Sequence, residues 1–210
     1  MDLFNKELGY KMEFCNKANR GQRGYTPTRL EKLRSADKAD HKEMLCVGGS
    51  GNILPADVEQ HALSMYKAVE NVANELSHIL MPSCVAGNHM MRIVKYPANR
   101  EDEFATHEHT DIDSFTIMPA PTCKGLQMEF EGEWCDVVHN PGELIVNVGD
   151  ILKNNGGYKA AKHRVLTNPD MDRYAMPFFV HPRPDTLIKD EHGEVMTSDE
   201  HTQQKIKVYA

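Results

Sequence analysis

The sequence has too few paired cysteines for a disulfide scaffold or a structural zinc site. It contains five cysteines, an odd number, widely spaced along the chain and without any Cys-x-x-Cys pair. Disulfide-rich domains and zinc ribbons depend on closely spaced pairs. We therefore expect free thiols, which are typical of a reducing compartment and predict a cytoplasmic protein.

Basic clusters and long apolar runs are also missing. The formal net charge is −7, and Lys and Arg are scattered rather than concentrated in a stripe, which disfavours a nucleic-acid partner. No run approaches the roughly 18 apolar residues that a membrane span needs. The N-terminus lacks the basic and then apolar pattern of a signal peptide. The glycine cluster at 48–51 lacks the Lys-Ser/Thr of a phosphate-binding loop. We expect neither nucleic-acid nor membrane binding.

What is present is the composition of an ordinary globular protein, with 40% hydrophobic and 26% charged residues in 210. This length predicts a single domain over 1–210. We divide it into a helical and loop part (1–87), a β-rich core (88–182) and a tail (183–210). Over 57–80, apolar residues recur at steps of three and four, which predicts an amphipathic helix. A shorter helix is predicted over 3–16.

From about residue 88 the pattern changes to short β-branched or aromatic runs separated by turn residues. Close spacing of such runs is typical of a β-sandwich or barrel. The sequence thus predicts a mainly β fold with flanking helices. Near the end, Thr197-Ser198-Asp199-Glu200 resembles a capping box that opens a short helix. The predicted strands cover 90–96, 111–118, 125–131, 133–138, 143–148, 158–166 and 173–180.

Three residues indicate a metal site: His109 and Asp111, in His109-Thr110-Asp111, and His163 much later in the chain. Residues i and i+2 of a strand point to the same side, so the first two can reach one ion. The third would come from a strand that folds back against the first. Two imidazoles and one carboxylate can occupy one face of an octahedral metal and leave the other open, as in non-haem Fe(II) oxygenases.

Two further residues, His107 and Arg173, bear on the predicted metal site. His107 has the same strand parity as His109 and is a rival ligand, but a fourth protein ligand would leave fewer open positions, so we interpret it as solvated or orienting. Arg173 lies in an aromatic strand pattern, where a buried arginine needs a partner. Its planar donor group matches a carboxylate, and we predict that it anchors the carboxylate of a cosubstrate.

Several motifs together carry a resemblance to a known family. The sequence resembles the 2-oxoglutarate/Fe(II)-dependent dioxygenases, specifically the isopenicillin N synthase-like branch, over roughly 1–185. The matching segments are Met91–Pro97, His109-Thr110-Asp111, Gly125-Leu126-Gln127 with Trp134, Pro141–Asp150, Asn155–Tyr158 with His163-Arg164-Val165, and Arg173–Phe179.

The resemblance implies a double-stranded β-helix, or jelly roll, flanked by helices. It implies that His109, Asp111 and His163 bind Fe(II), and that Tyr96 and Arg173 hold the distal carboxylate of 2-oxoglutarate. The implied enzyme uses O2 to hydroxylate, desaturate or cyclise a small organic substrate, with release of succinate and CO2. No catalytic residue beyond the metal ligands is implied.

The sequence departs from the family pattern in two places. The cosubstrate strand reads Arg173-Tyr174-Ala175 where the family has Arg-x-Ser, so one hydroxyl is missing. The chain also begins late, which predicts an uncovered sheet edge and a route to oligomers. Both departures keep two alternatives open: a 2-oxoglutarate-independent Fe(II) oxidase of the isopenicillin N synthase type, and a truncated, non-catalytic metal-binding paralogue.

Overall fold

The computed structural model describes residues 2–15, 22–31 and 39–206. In these residues, two antiparallel sheets face each other and helices cover the outside. The helices are α1 (Leu8–Met12), α2 (Ala56–Leu80), α3 (Asp150–Gly156) and α4 (Ser198–Ile206), with 3-10 turns at Asp2–Asn5 and Pro82–Cys84. The strands are β1 (Gly24–Thr26), β2 (Glu43–Gly48), β3 (Met90–Tyr96), β4 (Phe104–His109), β5 (Phe115–Pro119), β6 (Leu126–Phe130), β7 (Glu133–Asp136), β8 (Leu144–Val148), β9 (His163–Leu166), β10 (Arg173–Ala175), β11 (Phe178–Val180), β12 (Leu187–Lys189) and β13 (Val195–Thr197).

The order of the strands is that of a jelly roll, as predicted. The larger sheet runs β1-β2-β3-β11-β5-β8, with β10 also paired to β3, and the smaller sheet runs β4-β9-β6-β7. The predicted single strand over 173–180 is divided between β10 and β11. Pro177 lies in the gap, where it has no N–H to give to a ladder; its carbonyl instead accepts from the Arg92 N–H at 2.9 Å.

Helix α2 covers the outer face of the larger sheet and agrees with the prediction to within one residue at its start. Its buried side chains recur at helical spacing, and the helix packs on β2 and β11. The preceding Pro55 has a φ of −62°, which suits the start of a helix. Leu63, Val72 and Ile79 belong to the predicted repeat of apolar residues but are exposed, so only part of that repeat faces the sheet. The buried residues are Ala62, Tyr66, Val69, Ala73 and Ser77.

The N-terminal part differs from its prediction as helix and loop. Strand β2 pairs with β3 along its whole length, from Glu43 opposite Lys95 to Gly48 opposite Met90, and β1 pairs with β2. All six residues of β2 are buried, so it lacks the alternation by which a half-exposed strand is recognised. The edge of β3 is therefore covered by β2 and β1, which belong to this chain. The predicted helix over 3–16 is reduced to the turn Asp2–Asn5 and α1, and residue 16 lies outside the described residues.

The C-terminal segment is ordered by a hairpin and a capped helix. Strands β12 and β13 pair with each other, and α4 follows directly. The predicted capping box is present: the Glu200 N–H donates to Thr197 Oγ1 at 3.2 Å, and the Thr197 N–H donates to Glu200 Oε2 at 2.8 Å. Among the described residues, no helix combines the length and the apolar character needed to cross a membrane.

Candidate metal centre

The fold brings the three predicted ligands together where the end of β4 meets the start of β9. His109 is the last residue of β4 and lies opposite His163, the first residue of β9. The Nε2 atoms of both histidines lie 3.8 Å from Asp111 Oδ1, and all three ligating atoms lie within 4.8 Å of one another. Asp111 is in the loop after β4, so its convergence with His109 comes from the loop rather than from strand alternation.

Backbone carbonyls fix the tautomer of both histidines. His109 Nδ1 lies 2.8 Å from the carbonyl oxygen of His107, and His163 Nδ1 lies 3.0 Å from that of Ala161. A carbonyl can only accept, so each Nδ1 carries the proton and donates it. Each Nε2 then has a free lone pair, which is what a metal ligand requires.

Asp111 is held by two donors on neighbouring strands. Its Oδ2 accepts hydrogen bonds from Thr116 Oγ1 at 2.6 Å and from Asn147 Nδ2 at 2.8 Å. Thr116 and Asn147 lie opposite each other in β5 and β8, and all three side chains are buried. The other oxygen, Oδ1, faces the two histidines and is left for a metal.

The electrostatics of the site favour the protonation states that ligands need. Burial, with His163 adjacent, lowers the pKa of His109 to about 4, so its imidazole is neutral at pH 7. Burial opposes ionisation of Asp111, but His163 and His109 outweigh it and lower the pKa of this carboxyl. Burial and the Asp111 carboxylate raise the pKa of Asp113 well above its usual value. The Asp111 carboxylate and the neutral imidazole of His109 therefore face the metal position.

His107, the rival ligand, does not join the cluster. Its Nδ1 lies 3.3 Å from Asp40 Oδ1, and it is not part of the group of close ligating atoms found among the described residues. Its carbonyl oxygen orients His109, so the backbone of this residue supports the site and its imidazole points elsewhere.

Arg173 and Tyr96 lie together in the lining of the same cavity. They are opposite each other in the β10–β3 pair, and the Arg173 guanidinium carbon lies 5.1 Å from the centre of the Tyr96 ring. Arg173 is 3% exposed, its Nε donates to the Cys123 carbonyl at 3.3 Å, and its Nη1 has no partner among the described residues. Ala175, which also lines the cavity, offers no hydroxyl there. The cavity has a volume of about 410 Å³.

This donor set fits Fe(II) together with a keto acid. Two imidazoles and one carboxylate on one side of a metal leave its other coordination positions for other ligands. The buried Nη1–H of Arg173 has no partner among the described residues, and an anion would supply one. The comparison with known families points the same way: residues 87–182 match the family model of the 2OG-Fe(II) oxygenase superfamily. Residues 87–182 of the chain therefore belong to this superfamily.

Relatives in the superfamily come from plants, fungi and bacteria. The chain is 35% identical over 197 residues to gibberellin 2-beta-dioxygenase 5 of Oryza sativa subsp. japonica, covering 84% of this chain and 56% of that protein. It is 28% identical over 229 residues to the 2-oxoglutarate-Fe(II) type oxidoreductase hxnY of Emericella nidulans, covering 89% and 66%. The chain spans about half the length of the first curated relatives it matches.

Solved structures of the superfamily share the fold. A putative 2OG-Fe(II) oxygenase family protein from Caulobacter crescentus superposes with a TM-score of 0.80 at 26% identity, over 98% of this chain and 81% of that one. A full-length Neurospora crassa protein, solved in complex with alpha-KG and 5-formyluracil, also gives 0.80, at 20% identity, over 98% and 78%. The second likeness concerns the fold alone.

Sequence reasoning missed an ionic cluster whose side chains line the same cavity. Arg92 Nη2 lies 3.2 Å from Glu31 Oε1, and Lys42 Nζ lies 3.2 Å from Glu31 Oε2 and 2.8 Å from Asp40 Oδ2. Although burial opposes ionisation, Arg92 and Lys42 hold the pKa of Glu31 at about 2. The partners come from distant segments of the sequence, so no local pattern connects them.

Proposed function

We propose that this chain is an Fe(II)- and 2-oxoglutarate-dependent oxygenase of the isopenicillin N synthase-like branch. It would oxidise a small organic substrate by hydroxylation, desaturation or cyclisation, with release of succinate and CO2. One observation carries the proposal: the free Nε2 and Oδ1 atoms of His109, His163 and Asp111 share one cavity with the unpartnered guanidinium nitrogen of Arg173.

Each group would have a distinct task. His109, Asp111 and His163 would hold Fe(II), which with 2-oxoglutarate and O2 supplies the oxidising power. Arg173 would bind the distal carboxylate, with Tyr96 beside it. Apolar residues of the smaller sheet, such as Leu126 and Val165, line the cavity and would exclude water from the reacting groups. A halogenase is disfavoured because Asp111 holds the position that chloride would need.

The whole of 1–210 is proposed to work as one domain in the cytoplasm, with a small molecule as its substrate. The thiols support this location: the described cysteines are all free, and two of them, Cys46 and Cys84, are buried. Ferrous iron and unpaired cysteines both suit a reducing compartment.

The test is spectroscopic and then chemical. Anaerobic addition of Fe(II) and 2-oxoglutarate should give a weak visible charge-transfer band, and His109→Ala should abolish it. His192→Ala, an exposed histidine in the β12–β13 turn, is the matched control and should keep the band. Absence of the band from the wild-type protein at every concentration reached would overturn the proposal.

A second candidate is a 2-oxoglutarate-independent Fe(II) oxidase, which Ala175 favours because it lacks a hydroxyl at the cosubstrate end. Succinate release separates the two. With a productive substrate, the proposed oxygenase forms one succinate for each product, and the independent oxidase forms product without succinate.

A further inference from the structure

Thr106 carries a hydroxyl group that the fold buries without a partner. The residue is 4% exposed, and its Oγ1 has no hydrogen-bond partner among the described residues. The side chain nevertheless lines the metal cavity. Burying an unpaired hydroxyl is unfavourable, and valine, with nearly the same shape, would fill the space without that cost. Packing alone therefore does not account for a threonine here.

The register of the smaller sheet places Thr106 between the metal ligands and Arg173. His109 lies opposite His163 in the β4–β9 pair, and Thr106 lies opposite Val165, two residues further along β9. This step is roughly 7 Å along the strand. Val165 in turn lies opposite Leu126 of β6, so Thr106, Val165 and Leu126 form one row across the sheet.

Arg173 adjoins the same row. Gly125 directly precedes Leu126, and a Cβ atom built on Gly125 would lie 3.5 Å from Arg173 Cδ. The Arg173 side chain thus runs against the end of the smaller sheet to which Thr106 belongs. Thr106 Oγ1–H and Arg173 Nη1–H, on facing sheets, are thus both unpartnered donors in side chains that line this cavity.

Ala175 shows why a second donor is needed from another strand. Arg173 and Ala175 are two residues apart in β10 and line the same cavity, but the alanine methyl cannot donate to an anion held by its neighbour. A carboxylate has about four lone-pair sites, and Arg173 with Tyr96 leaves some of them unpaired in a buried space. A hydroxyl from the facing sheet would supply the missing hydrogen bond.

We propose that Thr106 is a cosubstrate-binding residue, whose hydroxyl donates a hydrogen bond to the 2-oxoglutarate carboxylate held by Arg173, in place of the hydroxyl that Ala175 lacks. This inference rests on the proposed function. It adds a ligand from the smaller sheet to those that the larger sheet supplies.

The test is equilibrium binding, measured by anaerobic titration calorimetry of the Fe(II)-loaded protein with 2-oxoglutarate. Thr106→Val should raise the Kd about tenfold or more, because the lost hydrogen bond goes to a charged group. Thr106→Ser keeps the hydroxyl and should stay within about threefold of wild type. Affinity for 2-oxopentanoate, which has a methyl group where 2-oxoglutarate has its distal carboxylate, should not change in Thr106→Val.

A double-mutant cycle gives the sharper result. Ala175→Ser should restore most of the affinity lost in Thr106→Val, and it should improve the wild-type protein much less. Thr106→Val should also leave the thermal midpoint of the ligand-free protein unchanged or raised, since the hydroxyl has no partner there; this separates a binding role from a structural one.

Two outcomes would overturn the inference. One is wild-type 2-oxoglutarate affinity in Thr106→Val. The other is an equal gain from Ala175→Ser in both backgrounds, which would mean that the two positions act independently. Failure of the proposed function looks different, because the wild-type protein itself would then bind no 2-oxoglutarate.

Discussion

Thr116 Oγ1 lies 2.6 Å from Asp111 Oδ2, so the carboxylate that is to bind the metal is already held by a buried hydroxyl. The same hydroxyl lies 2.9 Å from Asp113 Oδ2. A hydroxyl has one proton to donate, and the raised pKa of Asp113 favours the protonated form of that second carboxyl. Thr116 can thus donate to Asp111 and accept from Asp113, which directs the charged Oδ1 of Asp111 towards the histidines.

The first prediction concerns this hydroxyl. Thr116→Val should weaken Fe(II) or Mn(II) affinity about 10- to 100-fold, because groups that orient a metal ligand commonly contribute that much. Metal titration followed by calorimetry measures the change. Thr186→Val, in the segment before β12, is the control and should bind metal as the wild type does. Unchanged affinity in Thr116→Val would show that Asn147 suffices to orient Asp111.

The second prediction separates cosubstrate binding from metal binding. Arg173→Lys keeps the charge but loses the planar pair of donors that matches a carboxylate. We expect the Kd for 2-oxoglutarate to rise at least about tenfold, with metal affinity within about twofold of wild type. Arg100→Lys, at an exposed pair with Asp170, should change neither quantity. If Arg173→Lys lost metal instead, the arginine would be part of the metal centre's support rather than a cosubstrate anchor.

The site residues that the sequence predicts each lie in one short motif or in one recognisable strand pattern. His109 and Asp111 are two residues apart in one motif, and Tyr96 and Arg173 lie in segments whose composition is typical of strands. The sequence predicts helix α2 because residues that are buried in the structure recur at steps of three and four from Ala62 to Ser77. In these cases the local pattern contains the physical signal.

The residues that it missed depend on register between distant strands. Thr116 and Asn147 reach Asp111 together because β5 and β8 pair in one register. The sequence around either residue contains no pattern that predicts this pairing. Strand β2 was missed because both of its faces are buried, which removes the alternation that marks a half-exposed strand. Thr106 was missed for the same reason as Thr116, because its place in the cavity depends on the pairing of distant strands.

The third prediction concerns the close approach of two loops behind the metal centre. A Cβ atom at Gly149 would collide with the backbone carbonyl and side chain of Asp113. Its φ of −98° is ordinary, so the constraint is space rather than backbone conformation. Gly149→Ala should lower the free energy of unfolding by about 1–3 kcal/mol, as measured by urea denaturation. At Gly9 a Cβ would meet nothing within 4 Å, so Gly9→Ala should be neutral or stabilising. Equal stability of the two variants would refute the steric argument.

The fourth prediction is a loss of stability in mild acid that originates at buried histidines. Burial lowers the pKa of His89 to about 4 and that of His181 to about 3, with His89 and His201 adding to the effect on His181. His89 Nδ1 accepts a hydrogen bond from the His181 N–H at 3.2 Å, which only the unprotonated nitrogen can do. Charging either ring would break this arrangement.

The sign follows from linkage. Both groups have a folded pKa below the unfolded value of about 6.5, so the unfolded chain binds more protons as the pH falls below that value. Their contribution to the free energy of unfolding is complete above about pH 6.5 and is lost progressively as the pH falls through the two folded pKa values, about 4 and about 3. For His89 alone, a drop from pH 7 to pH 5 should cost about 2 kcal/mol of unfolding free energy. Urea denaturation of the metal-free protein at both pH values measures it.

His89→Asn is the variant that isolates this residue, because an amide oxygen can accept from the His181 N–H but has no proton to gain in this range. The variant should lose less stability than the wild type between pH 7 and pH 5, even if it is less stable at pH 7. Glu70 is the charged group that acts on His89, and Glu70→Gln should make the wild-type loss slightly larger by removing its stabilisation of the protonated ring. Identical pH dependence in His89→Asn and the wild type would place the acid sensitivity elsewhere, with His109 as the next group to test.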